Sequence, residues 1–153
     1  PGLDQGNWAS RAGMVALGVV PTGSGEISIY RQAHYAQPTA HLVRYSLRTD
    51  GFVSVNAPYG GGDIVTKPLK FAGSALELNV STSAAGFVKV EILDDRGAPL
   101  PGYGPDDAIE IVGDSIARKA SWKNGADVSG LAGKTVRLRF TMKDADLYSI
   151  RFK

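Results

Sequence analysis

Residues 114–153 read DSIARKASWKNGADVSGLAGKTVRLRFTMKDADLYSIRFK. Three β-rich runs are separated by two punctuated turns. In Val136-Arg137-Leu138-Arg139-Phe140 every second side chain is apolar. Neighbouring strand residues point to opposite faces, so this run predicts a half-buried antiparallel strand with a charged outer face. Lys123-Asn124-Gly125 carries the Asn-Gly pair that tolerates positive φ, and it predicts a tight turn. Asp127-Val128-Ser129-Gly130-Leu131-Ala132-Gly133-Lys134 predicts a turn or one helical turn. There Asp127 caps the start, Leu131 plugs the edge of a core, and Gly133 supplies the left-handed reversal into the next strand.

Working outward, the same alternation recurs in Leu76-Glu77-Leu78-Asn79-Val80 and in Val88-Lys89-Val90-Glu91-Ile92. Asp95-Arg96-Gly97 predicts a tight turn after the second run. The 19 glycines and 8 prolines fall between short β-rich runs at intervals of about 8–12 residues, the spacing of an all-β sandwich. Strands are predicted at Met14–Val19, Glu26–Arg31, Leu42–Arg48, Phe52–Asn56, Ile64–Phe71, Ala75–Ser81, Phe87–Leu93, Ala108–Val112, Ile116–Trp122, Thr135–Met142 and Leu147–Phe152. No segment carries a helical period. Residues 1–49 hold only about three strands, too few for an independent core, so the chain divides into an N-terminal β segment, 1–49, and a β-sandwich, 50–153.

A chain of 153 residues buries roughly two-thirds of its unfolded surface and needs no staples. The 17 basic against 15 acidic residues leave a net charge of +2, and the basic residues are scattered. That pattern is a mixed surface with no nucleic-acid stripe. With no cysteine, disulfides, thiolate metal sites and thiol nucleophiles are excluded. No apolar run approaches the roughly 18 residues of a membrane span. Gly60-Gly61-Gly62 precedes neither a Lys-Ser/Thr pair nor a helix, and no serine stands in a Gly-x-Ser-x-Gly elbow.

The Asp127–Lys134 turn followed by Val136–Phe140 resembles a turn-plus-strand of jelly-roll accessory domains in carbohydrate-active proteins. Upstream, LVRYSLRTDGFVSVNAP (Leu42–Pro58) followed by TKPLKF (Thr66–Phe71) is similar to a junction in bacterial five-bladed β-propeller glycoside hydrolases of the fructan- and sucrose-hydrolase type. The resemblance implies that residues 1–49 correspond to the end of the last propeller blade and the rest to a C-terminal sandwich. The expected fold is therefore all-β, a two-sheet antiparallel jelly-roll-like β-sandwich with an N-terminal β segment. It also implies a secreted or extracytoplasmic bacterial protein. The family's catalytic carboxylates lie in earlier blades, so no catalytic residue carries over, and fold speaks more strongly than function here.

A sugar-binding surface needs flat aromatic rings for the C–H faces of the sugar, with polar groups nearby for its hydroxyls. The candidates are Tyr59, Tyr103, Trp122, Trp8 and Tyr35. Tyr59 and Tyr103 lie in the irregular loops Pro58–Asp63 and Ala98–Asp107, where binding residues concentrate. Trp122 reads either as a sugar platform or as a core ring closing the sandwich. Trp8 and Tyr35 fall in the blade-like segment. The paired acids Asp94/Asp95, Asp106/Asp107 and Asp144/Asp146 read as turn formers, because glycoside hydrolysis needs two carboxyls held across a bond at a set separation. Asp106, Asp107 and Asp114 are the candidate ligands for a structural calcium, which takes oxygens from separated loops; no other cofactor is expected. His34 and His41 read as solvent or packing histidines.

The expected function is a non-catalytic carbohydrate-binding module of a polysaccharide-degrading system, with a polysaccharide or oligosaccharide as partner and neither nucleic acid nor membrane. The alternative is a structural accessory domain, or the C-terminal part, of a propeller hydrolase with no sugar binding of its own. Exposed strand edges in the N-terminal segment imply pairing with a second copy.

Overall fold

The computed structural model describes residues 2–8 and 14–153. The chain forms two compact units, one ending at Gly51 and the other running Phe52–Lys153. Both are antiparallel β. Among the described residues there is no α-helix, and therefore none long and apolar enough to cross a membrane; helical geometry is confined to short 3₁₀ turns at Gln5–Trp8 and Ser129–Leu131.

Unit 1 is a single sheet of β1 (Met14–Val15), β2 (Val20–Gly23), β3 (Glu26–Ala33) and β4 (His41–Arg48). β3 lies in the middle, paired along its full length with β4 and on its other edge with β1 and β2. Val20–Gly23 was not among the predicted strands; its Val-Pro-Thr-Gly sequence lacks a β alternation, and it pairs only because the turn before β3 brings it alongside.

Unit 2 contains β5 (Val55–Ala57), β6 (Gly62–Val65), β7 (Leu76–Leu93), β8 (Asp114–Lys119) and β9 (Arg137–Phe152). β7 and β9 pair along their whole lengths, Leu76 opposite Phe152 and Leu93 opposite Arg137. This ribbon is doubled over on itself. Ala120 donates its N–H to Leu76 at one end of β7, and two residues later the Trp122 indole donates to the Val90 carbonyl at 2.8 Å. Straight, Leu76 and Val90 would stand about 46 Å apart at strand rise. Likewise Leu69 bonds Val136 at the start of β9, and Ser74 bonds Lys153 just past its end. The two halves are thus the two layers of a sandwich. β5 and β8 extend the layer made by the first half of β7 and the second half of β9, and β6 extends the other.

The bend explains a difference from the sequence reading, which placed separate strands at 75–81 and 87–93 and again at 135–142 and 147–152. Pairing jumps from Thr82↔Ala145 to Phe87↔Lys143, so four residues of β7 bulge opposite Asp144. Asp144 takes φ +43, a left-handed conformation that aspartate adopts more readily than most residues. Gly86 packs so closely on the Lys143 and Asp144 carbonyls that any Cβ would collide with them. The small, polar residues that look like turns are a corner in continuous strands. A second shift at Asn79/Val80 lets Leu147 as well as Ile150 reach the core.

Two further strands are cut short. Within the predicted Ile64–Phe71, ladder pairing stops at Val65 and Leu69 makes one bridge; within Ala108–Val112, Ala108 and Ile111 make bridges only. Pro68 and the turn chemistry of the 101–107 segment leave no room for longer ladders.

The core of unit 2 collects the inward faces of both layers. Leu76, Leu78, Val80, Val88, Val90, Ile92, Val136, Leu138 and Phe140 are all buried. Phe71 stacks on Phe152 at 3.8 Å between centroids. The outward residues of β7 depart from the expected solvated face: Glu77, Asn79 and Glu91 are buried. β7 is flanked on both sides, and long cations from β9 fold over it. Arg151, directly opposite Glu77, donates from Nε at 2.8 Å and from Nη2 at 2.6 Å; Arg139, opposite Glu91, stands at 3.5 Å.

Truncating Leu138, which has no exposed surface, to alanine should cost about 2–5 kcal/mol in urea or guanidinium unfolding. A loss below about 1 kcal/mol would mean that the core as described is wrong. The Arg151 guanidinium holds the Glu77 carboxyl below the usual glutamate range. A carboxyl with a lowered folded pKa contributes stability at pH above its unfolded value, and that contribution disappears as pH falls through the lowered value. Glu77→Gln should therefore flatten part of the acid limb of a stability–pH curve while neutral-pH stability drops; an acid limb identical to the parent's would show that the pair does not titrate in this way.

Candidate functional site

The five candidate rings meet different fates. Trp122 is 2% exposed, its indole N–H spent on Val90 O. The Asn124-Gly125 turn folds the chain back, Trp122 N–H bonding Gly125 O at 2.8 Å, and aims the ring inward. A ring without exposed surface cannot stack on a sugar, so Trp122 is a core residue and the platform expectation is corrected. Tyr103 packs on that core, edge-on to Trp122 at 5.0 Å, and its hydroxyl donates to Asp127 O. It is a loop anchor with one partly open face, not a free platform.

Tyr59 is 66% exposed. Its loop is pinned to the corner of the ribbon: Asp144 N–H bonds Pro58 O, and Gly61, at φ +79, lies against the Met142 carbonyl. The loop therefore holds Tyr59 over β9, where the Lys143 ammonium stands 4.3 Å from the ring centroid. Across the ladder Lys143 faces Phe87, and Lys89 lies 5.9 Å from the Phe87 centroid while pairing with Glu110 at 3.3 Å. Thr141 sits between Lys89 and Asp63. Val88, Val90, Phe140 and Met142 point inward, so Tyr59, Lys143, Phe87, Lys89 and Thr141 share the outer face of one layer. Only Tyr59 was named from sequence. The signal for the others was the alternation of Phe87 and Lys89 with buried valines; what was missing was the pairing that sets Lys143 beside them.

Behind the loop, a cleft of about 90 Å³ is lined by Val55, Asn56, Pro58, Asp63 and Met142 among others. Its lining includes an amide and a carboxylate, Asn56 and Asp63. Asp146 is occupied locally, accepting from Ser54 Oγ at 2.7 Å and Asn56 Nδ2 at 3.1 Å.

In unit 1, Trp8 and Tyr35 are both exposed. Their turns are joined, His34 N–H donating to Asn7 Oδ1 and Gln37 Nε2 to Gly6 O. His34 is no idle surface residue. Its Nε2 lies 2.8 Å from Asp4 Oδ2 and its Nδ1 2.7 Å from Thr39 Oγ1, and its ring meets His41 edge-on at 4.9 Å. Hydrogen bonding to His34 holds the Asp4 carboxyl below its ordinary value. A Cβ on Gly6 would run into the His34 ring, which ties that glycine to the contact. The sequence separation of these partners hid the network from a reading by spacing.

Of the paired acids, Asp94 and Asp107 shape turns, whereas Asp144 and Asp146 lie within β9. Asp94 Oδ1 accepts from the N–H groups of Arg96 and Ala98, and Asp107 Oδ2 from Gly104 N–H. Asp127 accepts from Ser129 N–H at 2.8 Å, which lowers its pKa and fixes the turn before β9. Asp114 opens β8, paired with Ser81. Among the described residues no group of three or more His, Asp or Glu is placed to hold a metal. Asp106, Asp107 and the candidate calcium ligand Asp114 are not gathered into one such group: Asp107 folds back on its own loop and Asp114 starts a strand.

No protein-family model, curated protein or solved structure matches the chain.

Trp122→Ala should lower the thermal midpoint sharply, as loss of a buried ring with its hydrogen bond requires, at roughly 3–5 kcal/mol. Tyr59→Ala should leave the midpoint nearly unchanged. Calorimetry of the two variants side by side checks the assignment of one ring to the core and the other to the surface.

Proposed function

We propose that this chain is a non-catalytic accessory part of a polysaccharide-degrading protein, in which unit 1 completes a larger β-assembly and unit 2 is a self-supporting sandwich. One observation carries the reading. Among the described residues of unit 1 only Ser28 and Ala33 are buried, while Met14, Val15, Leu17, Val19, Val20, Leu42 and Tyr45 stand exposed. A four-stranded sheet with no interior does not bury enough apolar surface to offset the entropy of ordering its chain. The exposed strand residues occupy both faces of the sheet, Met14, Val20 and Leu42 on one and Val15 and Tyr45 on the other, and apolar surface left open on this scale marks faces made to be covered. Unit 2, by contrast, has a closed two-layer core of its own. The contrast accords with the resemblance of the first 49 residues to the last blade of a propeller hydrolase and of the remainder to its jelly-roll-like accessory sandwich.

A second reading, that unit 2 itself binds glycan, is favoured by the exposed Tyr59 held over β9. Stacking of a sugar face on that ring, with polar groups of the neighbouring strands for its hydroxyls, is the mechanism it would use.

Residues 52–153 expressed alone should unfold cooperatively with a midpoint close to that of the whole chain, whereas residues 1–51 alone should show no cooperative transition. Cooperative unfolding of isolated unit 1 would sink the proposal. The purified chain should not hydrolyse chromogenic glycosides or polysaccharides; turnover abolished by replacing one acid would equally overturn a non-catalytic role.

A further inference from the structure

We propose that the outer face built by Tyr59, Lys143, Phe87 and Lys89 is a site for an anionic sugar, a glycan carrying carboxylate or sulfate groups. The inference rests on the glycan-binding reading of unit 2 and adds the class of glycan.

The argument starts from the cations. Three of the charged side chains on the faces of the ribbon are matched: Arg151 by Glu77, Arg139 by Glu91, and Lys89 by Glu110. Lys143 pairs with no carboxylate among the described residues, and its ammonium rests on the Tyr59 ring instead. A ring face satisfies an ammonium only weakly, so the cation keeps capacity for an anion. The ring that holds it is itself the most exposed aromatic side chain of unit 2. An aromatic plane and an unmatched cation in contact are the two elements an acidic sugar needs: the ring takes the C–H face, and the ammonium takes the carboxylate or sulfate by a charge-assisted hydrogen bond.

Position on the ladder supplies a second ring at sugar scale. Phe87 is the direct cross-strand partner of Lys143, while Lys89, 5.9 Å from the Phe87 centroid, is already paired with Glu110, so Lys143 is the cation left for the anion. Direct and diagonal neighbours on a sheet lie about 5–8 Å apart, comparable with one sugar ring, so a chain can reach from the Tyr59–Lys143 pair to Phe87. The pinned loop and the paired strands hold this arrangement before any ligand arrives, which reduces the ordering cost of binding.

Affinity electrophoresis and titration calorimetry of the 153-residue chain test it, with polygalacturonate as the carboxylate probe and a sulfated galactan as the sulfate probe. Xylan, mixed-linkage glucan and fructan are the neutral comparators. The expected result is retention by at least one acidic polymer, weakening as salt rises, with no comparable retention by the neutral ones. Lys143→Gln should weaken it about tenfold, the loss of one charge-assisted contact. Tyr59→Ala should weaken it similarly, and Lys123→Gln, outside the patch, should leave it unchanged. Which acidic polymer is held tells carboxylate from sulfate recognition. Binding to neutral glycans at equal strength, insensitive to Lys143→Gln but lost in Tyr59→Ala, would overturn the anionic assignment while the glycan-binding reading survives. No retention on any of the five polymers would overturn both.

Discussion

The corner at Gly86 and Asp144 is the constraint on which unit 2 depends. Two strands of 18 and 16 residues laid flat would expose one whole apolar face. Bent at a single place, they supply both layers of a core from one ribbon. Bending needs extra residues on one strand, a left-handed residue on the other, and no side chain at the point of closest approach; Ser83–Gly86, Asp144 and Gly86 provide these. Everything that closes the sandwich then spans from one half of the ribbon to the other. The clearest case is the segment Ala120–Trp122, which bonds the beginning and the later half of β7 within two residues.

Register along the ribbon is held by charge as well as by packing. Glu77 and Glu91 face Arg151 and Arg139 directly across the ladder, one pair in each layer. A slip of one residue would send every core side chain to the wrong face and separate both pairs. The two are not equivalent. Arg151 bonds Glu77 through two nitrogens, whereas Glu91 Oε2 and Arg139 Nε are buried without a hydrogen bond. A buried carboxylate contributes to stability only when its polar atoms are satisfied, so the Glu77 pair is the better stabiliser. The Glu91 pair serves mainly to set alignment.

The same corner also builds the candidate sugar site. Pro58 is bonded to Asp144, so the loop carrying Tyr59 is fixed by the bend itself, and Lys143 is the last ladder residue before it. The candidate site in unit 2 therefore lies where the bend constrains the backbone. Unit 1 follows the opposite logic: well-paired strands, an Asp4–His34–Thr39 network fastening its turns, and almost nothing buried among its described residues. Its strands are formed by hydrogen bonding and local polar contacts, and many of its apolar side chains are left exposed.

Several features were written in the sequence. Strict alternation in Leu76–Val80, Val88–Ile92 and Val136–Phe140 determined an all-β fold and the central part of the core, because strand periodicity is local and one face must leave water. The turns at Gly97, Gly125 and Gly133, each at positive φ, were legible for the same local reason. Tertiary structure alone decided the rest. Ser83–Gly86 and Lys143–Asp146 have the composition of turns, and only the partner strand shows that pairing continues through them. Trp122 carries no local mark of which way it points; the Asn124-Gly125 reversal and the Val90 carbonyl settle that. Lys143 and Tyr59 lie far apart in the chain, and their contact exists because a corner brings a loop onto a strand. Periodicity is a property of neighbours in sequence, whereas a bend, a buried ring and a ring–cation pair are properties of neighbours in space.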